Sequence, residues 1–373
     1  MADVRPFHGL RYAEPLDEVV APPYDVLSDQ QVAEYRACSP HNVVHLTRPG
    51  DDYAGAARVL RDWIAEGVLV RDAEPAMYVH RTEVDGLVRL DVIAVLRLVP
   101  YADRVVLPHE RTHRGPKEDR LALLRATEAS LEPLWFLAEA LRPRLEAAPA
   151  GEERTFTFGG ERHSLRRVTD PAWLASVSGH LAERSVLIAD GHHRYETTLA
   201  HAQEVDAGPD AAARFTLALL TDLADPGLVV LPTHRVLSAG VAVTGGETAG
   251  SLDEMLGALR GRVAAGVYRG GSFQVLPLEG DVPVVELHRQ VIDNVLGKRD
   301  PEQYLTYTRD PAEAVRRVDS GEGLAAFFLD TPDLSAVLHA AREGMTMPQK
   351  TTFFSPKPPS GMVFHLLDRE RRP

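Results

Sequence analysis

The sequence predicts an α/β or α+β fold built on a mixed sheet, and three observations predict it. Runs rich in β-branched and aromatic residues alternate with stretches of helical periodicity along the whole chain. Two β-rich runs are joined by Asp85-Gly86 and two more by Gly159-Gly160, dipeptides that close antiparallel hairpins. A short apolar run, SVLIAD, passes through Gly191 straight into a helical pattern, the strand–turn–helix unit of α/β sheets. At 373 residues the chain exceeds one ordinary core. We therefore expect an N-terminal α/β part over 1–240 and a C-terminal α+β part over 241–373, parted near the Gly-rich AGVAVTGGETAG.

Taken in order, VVAPPYDVLS reads as a strand running into a proline turn, with a helix starting near Ser28. YAGAARVLRDWIAEGVLV carries apolar residues at helical spacing and stops at Gly67. AMYVHRTEVDGLVRLDVIAVLRLV and RTFTFGGERHSLRRV are the two hairpins. RYETTLAHAQEV continues the SVLIAD unit as a helix. RFTLALLTDL and GLVVLPTHRVL read as buried strands parted by a turn at Pro226-Gly227. Beyond them, SLDEMLGALRGRV and PDLSAVLHAAREG are helical, while SFQVLPL, LAAFFLD and MVFHLLD are strands.

Composition narrows the function. With 44% hydrophobic and 25% charged residues the chain is of ordinary globular type. A net charge of −13 and no basic block beyond RERRP argue against DNA as a partner, because duplex binding draws on clustered Lys and Arg. No apolar run approaches the roughly 18 residues of a membrane helix, and MADVRPFHGLRYAEP has no apolar signal core. Cys38 is the only cysteine, which excludes a disulfide framework and any multi-cysteine metal site. A cytoplasmic protein is expected.

His109-Glu110-Arg111-Thr112-His113 matches the H-E-x-x-H pattern of zinc proteases, with Glu128 or Glu132 as a nominal third ligand. The context opposes zinc. Pro108 precedes the pattern and Gly115-Pro116 follows it, leaving about two helical turns at most. Arg111 and Arg114 add cations and leave no apolar face. No metal ligands are therefore assigned and no zinc is expected. Either the segment is a solvated polar loop, or it is an active-site loop using Glu110 without a metal.

The most informative stretch is SVLIADGHHRYETTLAHA. The strand ends at Asp190, turns on Gly191 and opens a helix with His192, His193 and Arg194. Unpaired backbone N–H groups and the macrodipole make such an end attractive to anions. Arg194 can grip a phosphate bidentately and the histidines add donors. Asp190 could hold a magnesium water, a ribose hydroxyl or a substrate amine; the plainer alternative is that it only caps the helix. His234 and Arg235 in LPTHRV, and Lys350 in MPQKTTFFSPKPPSG, offer further cations for one polyanion pocket in an acidic protein.

Jointly, APPYDV, PHERTHRGPKEDRLALLRATEASLEPLWFL, ADGHHRYETTL, LPTHRV and MPQKTTFFSPKPPSG resemble the bacterial and archaeal domain-of-unknown-function family 1015, over residues 19 to about 365. More distantly, Asp190-Gly191-His192-His193-Arg194 resembles the motif of the ParB/sulfiredoxin-like superfamily, in the version of free L-serine kinases. Pro108-His109-Glu110 resembles the context of their catalytic glutamate. The resemblance implies a mixed sheet with a ParB/sulfiredoxin-like nucleotide-binding core and additional α+β elements. It further implies phosphoryl transfer from ATP or ADP to a small hydroxyl metabolite, with serine leading. Glu110 would then be the base, and His109 and His113 would orient it or contact phosphate. Lys117 and Arg125 would stand behind as supporting cations, and Mg²⁺ would accompany the nucleotide. His192 stands where sulfiredoxin has its cysteine, so thiol chemistry is not implied. The alternative is a nucleotide-binding regulator, or an NTP or phosphoester hydrolase, without kinase activity.

Overall fold

The computed structural model describes residues 1–110, 115–240 and 245–373; the side chains of residues 115–117 and 302 lie outside the description. The chain forms two compact units. The first takes Met1–Pro108, the described part of Thr112–Val229, and Pro356–Pro373. The second takes His109, Glu110 and Val230–Ser355. Where one cut near residue 240 was expected, the chain changes unit at Val229 and returns at Pro356, with His109 and Glu110 belonging to the second unit.

The first unit is built on a mixed sheet. Among the described residues its order runs Val106–Leu107, Val186–Asp190, Leu134–Ala138, Phe215–Asp222, Leu87–Arg97, Met77–Val84, Glu161–Val168 and Glu152–Phe158. Val4–Arg5 pairs with Leu87–Arg97 off this path. Two pairings are parallel, Val186–Asp190 with Val106–Leu107 and Leu134–Ala138 with Phe215–Asp222; the others are antiparallel. Every residue of Phe215–Asp222 is buried, as a strand covered on both faces must be. Asp85 and Gly86 both take positive φ, 51° and 77°, as a two-residue hairpin turn matching strand twist requires.

Several helices begin where side chains cap them. Ser28 and Gln31 form a capping box that opens Asp29–Cys38. Asp170 caps Pro171–Leu181, with proline at the first helical position. Gly115–Thr127, a stretch given no element from sequence, is a helix that starts at the Gly115-Pro116 pair, because proline opens a helix as readily as it ends one. VVAPPYDVLS forms no strand: Pro22 and Pro23 remove two donors, Ala21 makes one bridge to Ser360, and Tyr24–Val26 is a 3-10 turn. Pro232 likewise splits GLVVLPTHRVL into Val229–Leu231 and His234–Leu237.

The second unit is a six-stranded antiparallel sheet among the described residues. Its order is Glu247–Ala249, Ser272–Pro277, Ala264–Arg269, Ala325–Phe328, His234–Leu237 and Leu305–Thr308. Period-two alternation sends Leu237, Val267 and Phe327 to one face, onto Leu287, Ile292 and Leu296. Val236, Ala326 and Phe328 go to the other, onto Met255, Leu259 and Ala314. No described helix is long and apolar enough to cross a membrane.

Candidate functional site

In the first unit the chain leaves Val186–Asp190 through Gly191 and enters the helix His192–Glu204. Gly191 has φ +100°, and a Cβ there would lie 2.7 Å from Leu134 Cδ2. Only glycine satisfies both the left-handed backbone and that crowding. The N-cap position is Gly191, which has no side chain to cap the helix. The Asp190 carboxylate bridges two cations. Arg194 Nη2 donates to Oδ2 at 2.7 Å, and Lys357 Nζ meets Oδ1 at 2.7 Å and Asp25 Oδ2 at 3.1 Å.

Arg194 has further anchors. Its Nη1 donates to the Pro133 carbonyl at 3.0 Å and lies 4.0 Å from Glu132 Oε2. Glu132 in turn accepts from the Tyr24 N–H at 3.0 Å and the Ser360 hydroxyl at 2.6 Å. Burial alone would lower the Arg194 pKa, but the carboxylates of Asp190 and Glu132 outweigh it and hold the guanidinium above its ordinary value. Lys357 is raised by the same balance of burial against Asp190 and Asp25. The Tyr24 ring lies under the Arg120 guanidinium at 4.2 Å. A small cavity of about 60 Å³ opens beside Arg194, walled by Leu131, Leu134 and Thr198, with Arg120 and Glu132 also lining it.

In the second unit Glu110 is held by a turn of the C-terminal segment. Its Oε1 accepts the backbone N–H groups of Thr351 at 3.0 Å and Thr352 at 3.3 Å. Lys350 takes φ +55°, and this left-handed residue turns the two following N–H groups together. His109 is fully buried, and its Nε2 lies 2.8 Å from Thr352 Oγ1. The His109 carbonyl accepts from Met347 N–H, and Glu110 bridges Met347 in parallel, so the Pro108-His109-Glu110 segment is fastened as a strand would be.

Several residues nominated from sequence stand elsewhere than expected. Arg125 pairs with Glu204 at 2.8 Å. Glu204 closes the helix that His192 opens, about 18 Å from the mouth at 1.5 Å per residue; Arg125 is thus a surface ion pair and not a supporting cation. Arg235 is fully buried and, among the described residues, donates to the carbonyls of Thr233, Gln349 and Lys350, which sets it apart from direct phosphate contact. His234 is buried beside Phe328, and burial, with Arg235 adding to it, lowers its pKa to about 4; it is neutral at physiological pH and brings no cation. Lys350 is exposed on the turn that holds Glu110, and the lysine meeting Asp190 is Lys357. His192 is buried within the first helical turn. His113 lies outside the described residues, as does the side chain of Lys117.

Lys357, Glu132 and Asp25 were not placed at this mouth from sequence, where Glu132 was weighed only as a nominal zinc ligand. Their signal was present in SPKPPSG, ATEASLEPLW and APPYDV, segments with more polar residues than a turn needs.

Among curated proteins none matches this sequence. Solved structures with a similar fold include a conserved hypothetical protein from Pyrococcus furiosus, at 16% identity and a TM-score of 0.42, covering 74% of this chain and 95% of that one. A free serine kinase in complex with AMP is similar at 15% identity and a TM-score of 0.41, covering 75% and 90%. A C-terminally truncated SbnI from Staphylococcus aureus is similar at 10% identity and a TM-score of 0.38, covering 74% and 87%. The model of the family described as "Protein of unknown function (DUF1015)" matches residues 4–318, and the chain belongs to that family.

Proposed function

We propose that this protein is a nucleotide-dependent phosphotransferase acting on a small hydroxyl metabolite, with ATP or ADP as donor and serine as the leading acceptor. One observation carries the proposal: a helix mouth without a side-chain cap, set on a left-handed glycine after a buried strand, with arginine in its first turn. Such a mouth offers backbone donors and a positive dipole end to a phosphate.

Phosphoryl transfer asks for positioning and charge neutralisation more than covalent chemistry. Arg194 and Lys357 would neutralise donor phosphate while Asp190 fixes both side chains in place. Glu110 would accept the proton of the acceptor hydroxyl. Its Oε1 is committed to two N–H donors, so Oε2 is the atom that would take the proton. Direct Mg²⁺ ligation fits the mouth poorly. Both oxygens of Asp190 already meet cations, and Glu132 Oε1 already accepts two hydrogen bonds. No step is therefore routed through a metal.

A screen of ADP, ATP and CTP against small hydroxy and amino acids, reading transferred phosphate, tests the proposal. Glu110→Gln should abolish turnover and leave nucleotide affinity within about twofold. Turnover that survives the substitution sinks the role of Glu110. Thermal stabilisation by nucleotide alone, with no transfer to any acceptor, would identify a regulator or hydrolase instead.

A further inference from the structure

Arg235 is a buried cation whose hydrogen bonds, among the described residues, all go to carbonyl oxygens, and that arrangement has a consequence for Glu110. Its Nη2 donates to the carbonyls of Gln349 at 3.2 Å and Lys350 at 3.1 Å, and its Nη1 to that of Thr233. The Lys350 carbonyl and the Thr351 N–H belong to one planar peptide group, whose two polar atoms point in opposite directions. That same N–H donates to Glu110 Oε1 at 3.0 Å. A guanidinium on the oxygen side and a carboxylate on the nitrogen side therefore polarise a single peptide along its own dipole, so that each hydrogen bond strengthens the other.

We propose that Arg235 is the positioning residue for Glu110, acting through the Lys350–Thr351 peptide. The inference rests on the base assignment made above and extends it to a residue that touches neither substrate nor Glu110's own hydrogen-bonding atoms. Three features of the second unit support it. Arg235 sits on a strand paired on both sides, to Leu305–Thr308 and Ala325–Phe328, so its Cα is rigidly placed. Lys350 is held in the left-handed region, where a non-glycine residue persists only if its surroundings compel it; the two carbonyl bonds from Arg235 supply that compulsion. Thr351 Oγ1 donates to the Pro348 carbonyl at 2.6 Å, closing the turn from its other side. Burial lowers the Arg235 pKa to about 10, with Tyr307 and Glu110 partly offsetting it. The guanidinium is therefore still charged at neutral pH.

The test uses the full chain and two substitutions. Arg235→Lys keeps a charge but not the planar fork. Lys350→Val leaves Arg235 intact and disfavours the left-handed turn with a β-branched side chain at an exposed position. In both variants the Thr351 amide proton should move upfield in proton–nitrogen correlation spectra, while the amide of Phe273 in the distant hairpin strand stays fixed. The kcat of the phosphotransfer should fall about tenfold or more, with KM for nucleotide unchanged. A Thr351 amide that stays in place in either folded variant overturns the proposal, as does a kcat left unchanged by Arg235→Lys. If Arg235→Lys fails to fold, Lys350→Val alone decides. Should Glu110→Gln keep full activity, the base assignment falls, and the amide shift still settles whether Arg235 acts on Glu110.

Discussion

Arg194 and Arg235 belong to different units and answer burial in opposite ways. Arg194 is met by carboxylates, Asp190 at 2.7 Å and Glu132 at 4.0 Å, and its proton is held more tightly than in water. Arg235 is met by three carbonyls, and burial lowers its pKa to about 10. A carboxylate cage neutralises the charge of its arginine and is itself held in place by it. A carbonyl cage only solvates the charge, so its arginine works as a rivet for the backbone that supplies those carbonyls. Two His-Arg motifs that look alike in sequence thus sit in opposite surroundings.

The comparison can be broken by substitution. Arg194→Met leaves Asp190 and Glu132 short of a cation and should cost about 3 kcal/mol or more of stability. Arg235→Met strands three carbonyls but also removes a buried charge, and about 2 kcal/mol is expected. Thermal unfolding of both variants ranks them, and a larger loss for Arg235→Met would overturn the contrast.

A pH titration sharpens it next. His234 in the second unit and His365 in the first are both lowered to about 4, chiefly by burial, from an ordinary value of 6.5. The unfolded chain protonates them below about 6.5 while the folded chain resists until about 4. The stability they contribute is therefore complete above pH 6.5 and lost as pH falls toward 4, by at most about 3 kcal/mol each. His234→Phe should flatten the acid slope of the second unit's unfolding and leave that of the first unchanged.

Smaller effects are expected at the periphery of the mouth. Lys357→Met should cost about 1–2 kcal/mol, because Asp190 keeps Arg194, and should weaken nucleotide binding several-fold by calorimetry. Arg125→Ala breaks an exposed ion pair at the far end of the helix and should cost under about 0.5 kcal/mol, with nucleotide affinity unchanged.

Much of the fold was legible because its signals are local. Asp85-Gly86 and Gly159-Gly160 close hairpins wherever they occur between β-rich runs, and Ser28 with Gln31 caps a helix by itself. The misreadings came at prolines. Pro22-Pro23 and Pro232 interrupted expected strands and Pro116 began an unexpected helix, since proline marks a boundary without saying what lies on either side.

By itself the sequence determined the Asp190–Gly191–Arg194 turn, because a buried strand, a left-handed glycine and a helix start are each specified by neighbouring residues. Only the tertiary structure decided that Lys357 and not Lys350 meets Asp190, that Arg125 lies a helix length away, and that Glu110 hangs on the Thr351 and Thr352 N–H groups. Those partners are separated by up to 242 residues along the chain. Short-range periodicity carries no information about which distant turn delivers a donor, so such contacts are settled by packing alone.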